Sequence, residues 1–273
     1  MTTLNAFVLG LVQGLAEFLP VSSSGHLVIF QNILELPDSK QYLVFDILLH
    51  VGTLISVLFF YWRDIVGLIK AFFEMVSDIA KGMVDIKKQY HRFLVLIVIA
   101  TLPLCVVLVF KDKIESAFSS PLFVGSMLLI TGVLLLLTDR VKHGSFTEEN
   151  IPFRSAFIIG LFQLFAIFPG ISRSGSTIFG SIIAKGQRRF AVKFSLLLSV
   201  VAVLGAAVTS VPDIISGEGL SVPPLQCIIG MVTAGVSGIL AIKFLVKMLN
   251  RGKFKYFALY CWAVGVITII LSI

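Results

Sequence analysis

Apolar residues run along this chain in long, nearly unbroken stretches, and polar residues gather between them. Six stretches, 43 to 62, 93 to 110, 121 to 138, 190 to 211, 224 to 242 and 256 to 272, reach the about 17 to 25 residues that a helix needs to cross a bilayer. Four others are too short: 4 to 19 and 25 to 34, separated by Pro20-Val21-Ser22-Ser23-Ser24, and 153 to 168 and 176 to 184, separated by Pro169-Gly170-Ile171-Ser172-Arg173-Ser174-Gly175. Each short pair reads as a helix, a polar break and a second helix that dips into the membrane and returns. Irregular backbone is tolerated at that depth only when protein buries it or it lines a cavity. The expected fold is therefore an all-α polytopic membrane protein with six transmembrane helices and two re-entrant helix pairs.

The two broken segments resemble each other at a constant offset of 150 residues: Gly10 pairs with Gly160, Leu11 with Leu161, Gln13 with Gln163, Ala16 with Ala166, Phe18 with Phe168, Ser22 with Ser172, Ser24 with Ser174 and Gly25 with Gly175. Further on the offset becomes 149, matching Phe45 to Phe194 and Leu49 to Leu198. A duplicated unit of one re-entrant pair plus three spans accounts for the chain. It divides a single integral membrane domain, 1 to 273, into halves 1 to 138 and 151 to 273 with a linker at 139 to 150.

Composition agrees with a lipid solvent and excludes an ordinary soluble domain: 57% of the residues are hydrophobic and 14% charged. The net charge of +7 does not point to nucleic acid, because the basic residues sit in loops beside the spans. Placing loops 63 to 92, 139 to 156, 185 to 193 and 243 to 255 on one side collects 18 of the 22 Lys and Arg residues there, and the positive-inside rule makes that side cytoplasmic. Lys40, Lys111 and Lys113 remain outside, and Arg173 lies in the second break. The first pair then enters from outside and the second from inside, so the repeat is inverted and the polar tips can meet near the midplane. Within 65 to 83, Lys70, Glu74, Asp78 and Lys81 at roughly helical spacing predict an interfacial helix. Cys105, Cys227 and Cys261 read as small hydrophobes without metal-ligand spacing, and the N-terminus lacks a cleavable signal pattern and is expected to be retained.

Chemistry concentrates in the breaks. Gln13 and Glu17 stand four apart on one helix face, followed by Ser22, Ser23, Ser24, Gly25 and His26. An acidic residue at the bilayer centre costs roughly 2.5 to 3.5 kcal/mol, which gives Glu17 a functional reading with a partner. Arg173 is the expected partner, and its fork of donors suits phosphate oxygens. Ser172, Ser174 and Gly175 beside it, like Ser22, Ser24 and Gly25, allow backbone N–H groups to approach an anion, and the dipoles of the short helices after each break favour a diphosphate. A structural reading stands beside each of these: a Glu17–Arg173 pair that only locks the tips, serines that only cap helices, a His26 that is only a satisfied polar residue. Asp46 and His50, four apart in the first full span, are secondary candidates for the same cavity or a helix-packing hydrogen bond. Small residues between Gly230 and Gly238 suit close packing within one chain or between two, which leaves a homodimer as an open alternative.

The run Gly10-Leu11-Val12-Gln13-Gly14-Leu15-Ala16-Glu17-Phe18-Leu19-Pro20-Val21-Ser22-Ser23-Ser24-Gly25-His26, with Pro169-Gly170-Ile171-Ser172-Arg173-Ser174-Gly175 and Phe45-Asp46-x-x-x-His50-x-Gly52-Thr53, resembles the bacitracin-resistance family of undecaprenyl-diphosphate phosphatases. The resemblance covers essentially the whole chain. It implies hydrolysis of a polyprenyl diphosphate lipid to the monophosphate carrier used in cell-wall synthesis, in the bacterial inner membrane and with a divalent cation, Mg²⁺ or Ca²⁺. Carried over residue by residue, it places the essential acid at Glu17, the serines at Ser22 and Ser23, the histidine at His26 and the phosphate-binding arginine at Arg173. The first motif position is Gln13, which leaves one carboxylate fewer for a metal held by Gln13 and Glu17. The expected roles are Ser23 as nucleophile or a metal-bound water in its place, Glu17 as metal ligand or activator, His26 as proton donor or relay, and Arg173 as charge neutraliser. The active site is expected to open to the periplasm or exterior. A secondary transporter or flippase is the rival reading, because inverted repeats with broken helices are transporter architecture.

Overall fold

A computed structural model describes residues 1–36, 42–82, 85–86, 88–109, 117–118, 120–141, 144–215, 222–249 and 253–272. Lys40, Lys111 and Lys113, the cations expected on the outer side, lie outside these residues. Among the described residues the chain forms helices and no strand. In order they are α1 (Thr3–Phe18), α2 (Ser23–Ile33), α3 (Leu43–Ala80), α4 (Gln89–Thr101) running into a 3₁₀ segment (Leu102–Val109), α5 (Pro121–Arg140), α6 (Phe153–Phe165), α7 (Arg173–Ile183), α8 (Arg188–Thr209), the short α9 (Val211–Ile215), α10 (Pro224–Leu249) and α11 (Phe254–Leu271).

Among the described residues six helices are long and apolar enough to cross a membrane, and they are the six read from the apolar runs. Their outward faces stay apolar, with Phe59 and Phe73 each 65% exposed, as a lipid-facing surface requires. Start signals follow local chemistry. Thr2 accepts from the Asn5 N–H at 3.2 Å, and Ser120 caps α5 with Pro121 in its first turn. In the fourth-numbered helix, Pro103 has no N–H to donate and crowds the preceding turn, and the α-helix gives way there to 3₁₀ geometry.

The helix expected within 65 to 83 is present as far as Ala80: α3 is two helical stretches joined across a kink, with non-helical backbone at Tyr61 (φ −117°, ψ 26°), and the second stretch carries Lys70, Glu74 and Asp78. Just past the kink Arg63 and Asp64 interrupt the apolar run, and Asp64 pairs with Lys193 of α8 at 2.8 Å.

Packing pairs distant segments. α1 and α3 both lie against α10, α6 lies against α4, and α5 lies against α11. The approach to α10 is backbone to backbone: a Cβ on Gly14 would collide with Ser237 and the Ala234 carbonyl, and one on Gly52 with the Met231 carbonyl. Phe45, Leu49, Leu9 and Ala6 belong to one buried cluster, and Leu96, Ile159 and Phe194 anchor another.

Candidate active site

Both breaks are built by the same local chemistry. Pro20 cannot continue α1, and Ser22 caps α2 by accepting the Gly25 N–H at 3.2 Å. In the second break Ser172 accepts the Gly175 N–H at 3.1 Å. The Ser24 and Ser174 hydroxyls lie 3.3 Å and 3.2 Å from those of Ser22 and Ser172. Gly170, at φ +96°, occupies a conformation that glycine tolerates. Thr131 of α5 secures that turn by donating to the Gly170 carbonyl at 2.8 Å and accepting the Ser172 N–H at 3.0 Å.

The two breaks touch. Ser174 Oγ donates to the Leu19 carbonyl at 3.3 Å, and a Cβ added to Gly25 would stand 3.0 Å from Gly170 Cα. This contact brings the acidic residue of one break to the cation of the other.

Glu17, 6% exposed, is the centre of the arrangement. Its Oε2 accepts from Gln13 Nε2 at 2.9 Å and from Ser23 Oγ at 2.7 Å. Its Oε1 pairs with Arg173, the first residue of α7, whose other terminal nitrogen donates to the Ser199 carbonyl at 3.3 Å. His50 Nε2 stands 3.8 Å from Oε2. The ring is oriented by its Nδ1–H, which donates to the Asp46 carbonyl at 2.8 Å, and the Asp46 carboxylate accepts from Gln31 at 3.3 Å.

These groups floor a cavity of about 620 Å³. Its polar lining includes Glu17, Ser22, Ser23, Ser24, Asp46, His50, Ser172 and Arg173, and its apolar walls include Leu43, Ile47, Leu104, Val107, Val201 and Val203. Gln13 sits behind Glu17. Gly25, Ser174 and Gly175 shape the breaks without lining the cavity. His26 also stays out of it: Nδ1 bonds the Ser22 carbonyl at 2.7 Å and Nε2 bonds the Tyr260 hydroxyl of α11 at 2.8 Å. Ser22 and Ser172 are helix caps, whereas the Ser23 hydroxyl is turned to the carboxylate.

Four residues near the site were not singled out by sequence reasoning as site residues. Gln163 lines the cavity with its Oε1 buried and unpaired, and was noted only as the repeat partner of Gln13. Thr131, Ser199 and Tyr260 are single polar groups in apolar spans, a signal too weak to separate from ordinary helix packing.

The fold and cavity define a polytopic membrane protein with a buried acid–serine–arginine site under an apolar vestibule. The chain matches the family model described as bacitracin resistance protein BacA over residues 6–267, and it belongs to that family. It is 44% identical over 276 residues, spanning 100% of both chains, to the undecaprenyl-diphosphatase of Alkaliphilus metalliredigens. It is 40% identical to the undecaprenyl-diphosphatase of Methanosphaera stadtmanae, over 99% of this chain and 98% of that one. With undecaprenyl-diphosphatase 4 of Bacillus thuringiensis the identity is 36%, over 100% and 98% of the two chains.

Proposed function

We propose that this protein is an undecaprenyl-diphosphate phosphatase, an integral membrane hydrolase that removes the terminal phosphate of the lipid carrier. The observation that carries the reading is the Ser23 hydroxyl donating to Glu17 at 2.7 Å while Arg173 holds the other carboxylate oxygen. A nucleophile, its base and an anion-binding cation thus share one pocket, whose apolar walls suit a prenyl chain.

In this mechanism Arg173 exchanges its carboxylate partner for oxygens of the terminal phosphate, aided by the N-terminal dipoles of α2 and α7. Ser23 Oγ attacks the terminal phosphorus as its proton passes to Glu17 Oε2. The bond from that phosphorus to the bridging oxygen breaks, and polyprenyl phosphate leaves with the bonding pair. Water then attacks the phosphoserine, releasing inorganic phosphate and restoring the Ser23 hydroxyl. His50, rather than His26, is the imidazole beside Glu17 in the cavity.

The residues present fit a hard cation only in part. Among the described residues no cluster of three or more His, Cys, Asp and Glu side chains could hold one alone. Gln13 Oε1 is buried and unpaired beside Glu17, and oxygen donors are what Mg²⁺ or Ca²⁺ requires. Glu17 and Gln13 would hold the ion, and it would neutralise charge on the diphosphate.

Two further features belong to the same reading. α1 packs on α10 as α6 packs on α4, with the repeat partners Gly10 and Gly160 set against the Gly230 and Ala100 carbonyls, which supports two re-entrant pairs in an inverted repeat. The cavity walls include the 3₁₀ segment after α4, at Leu104, Cys105 and Val107, and the end of α8, at Thr209 and Ser210, both opposite the basic starts of those helices. By the positive-inside rule this opens the site to the periplasm or exterior of the inner membrane. A transport pathway has no need of a serine aimed at a carboxylate, and the hydrolase reading is preferred for that reason.

The test is phosphate release from undecaprenyl diphosphate by the purified, detergent-solubilised protein with Mg²⁺ or Ca²⁺. Release by the wild type, lost in Glu17→Ala and Arg173→Ala, is expected. No release by the wild type, or full activity in both variants, overturns the assignment.

A further inference from the structure

Ser22 is the one residue of the first break with left-handed backbone, φ +70° and ψ 96°, and it is not a glycine. Its repeat partner Ser172 has φ −73°, an ordinary value. Such a conformation persists only where the surroundings over-determine it. Here the surroundings are unequal in the two breaks. The second turn is held by Thr131, and its position equivalent to His26 is Ser176, whose buried hydroxyl has no partner. The first turn is held by His26, whose backbone N–H and Nδ1 both reach the Ser22 carbonyl, at 3.1 Å and 2.7 Å.

A carbonyl only accepts, so Nδ1 carries the hydrogen, and Nε2 of the neutral ring is an acceptor. The group that meets Nε2 is the Tyr260 hydroxyl at 2.8 Å, which therefore donates. The two rings are also stacked, with centroids 5.5 Å apart and planes 7° apart. The next residue of α11, Cys261, donates to the Pro20 carbonyl of the same break at 3.8 Å.

Resting on the phosphatase reading, we propose that Tyr260 is a positioning residue for the reaction: its hydroxyl fixes the His26 tautomer whose Nδ1–H clamps the strained Ser22 carbonyl, and that clamp presents the adjacent Ser23 to Glu17. His26 then acts as a donor to backbone and transfers no proton to substrate. The chain of contacts reaches the cavity from behind, since neither Tyr260 nor His26 lines it.

A donor and a proton carrier respond differently to substitution. Asparagine places an N–H where Nδ1 stands but does not titrate. The expected results, in detergent-solubilised full-length protein, are that Tyr260→Phe lowers kcat by about 10- to 100-fold with little change in KM, as a misplaced nucleophile does. His26→Asn retains activity well above His26→Ala, and adding Tyr260→Phe to His26→Asn lowers it no further. Elution and melting of Tyr260→Phe should match the wild type. A wild-type kcat in Tyr260→Phe, or His26→Asn as inactive as His26→Ala, overturns the proposal. A wild type that releases no phosphate defeats the phosphatase reading instead. The clamp is then still tested by ¹⁵N NMR of labelled histidine: one Nδ1-protonated form for His26 in the wild type and a mixture in Tyr260→Phe support it, and an Nε2-protonated wild type overturns it.

Discussion

Arg173 and Glu17 stand 156 positions apart in the chain and form an ion pair on the floor of the cavity. Because the carboxylate is buried, removing the guanidinium leaves a charge with too few partners. Arg173→Ala should lower kcat/KM by about 100- to 1000-fold and destabilise the fold by roughly 3 kcal/mol. Arg173→Lys should recover most of the stability and little of the rate, since an ammonium lacks the two-pronged geometry. Phosphate release and denaturation in detergent measure the two effects separately.

Ser22 and Ser23 are neighbours with different partners, and their alanine variants should separate. Ser23→Ala should lose about 1000-fold or more in kcat at normal stability, as for a nucleophile. Ser22→Ala should lose about 1 kcal/mol of stability with the cap. Trapping of a phosphoserine at position 23 in acid-quenched protein is expected, and Ser23→Ala with near wild-type turnover would indicate attack by water.

Thr131 serves two backbone groups of the second break at once. Thr131→Val keeps the shape and leaves the Gly170 carbonyl and Ser172 N–H buried without that partner, at about 1 to 3 kcal/mol each. A melting temperature well below wild type, with reduced turnover, is expected, and an unchanged melt would show that the turn holds without it.

Cys105 is exposed and lines the cavity wall, whereas Cys227 and Cys261 are buried. A membrane-impermeant maleimide applied to the outside of intact cells should label one thiol per chain, and a polyprenyl diphosphate should slow the labelling. Labelling only from the cytoplasmic face would reverse the orientation.

The spans were legible because length and hydropathy alone decide whether a helix can live in lipid. The partner of Asp64 was not, since Lys193 is 129 residues further along the chain. The meeting of Glu17 with Arg173 could be anticipated, because a carboxylate at that depth requires a partner and few cations are available. The orientation of His26 could not. Its place after Glu17 and Ser23 suggested a common cavity, but Tyr260, on the last helix, turns the ring the other way. Asp46 and His50 were readable as a pair from their spacing of four, while the nearness of His50 to Glu17 rests on how α3 lies beside α1.

The glycine contacts along α10 limit how the cavity can change shape. Where main chain rests on main chain, no side chain is available to rotate and take up a displacement. α1 cannot slide or tilt alone against the Ala234 carbonyl, nor α3 against that of Met231. Widening the vestibule to admit a bulky headgroup therefore has to move these three helices as one body, or shift the helices facing them.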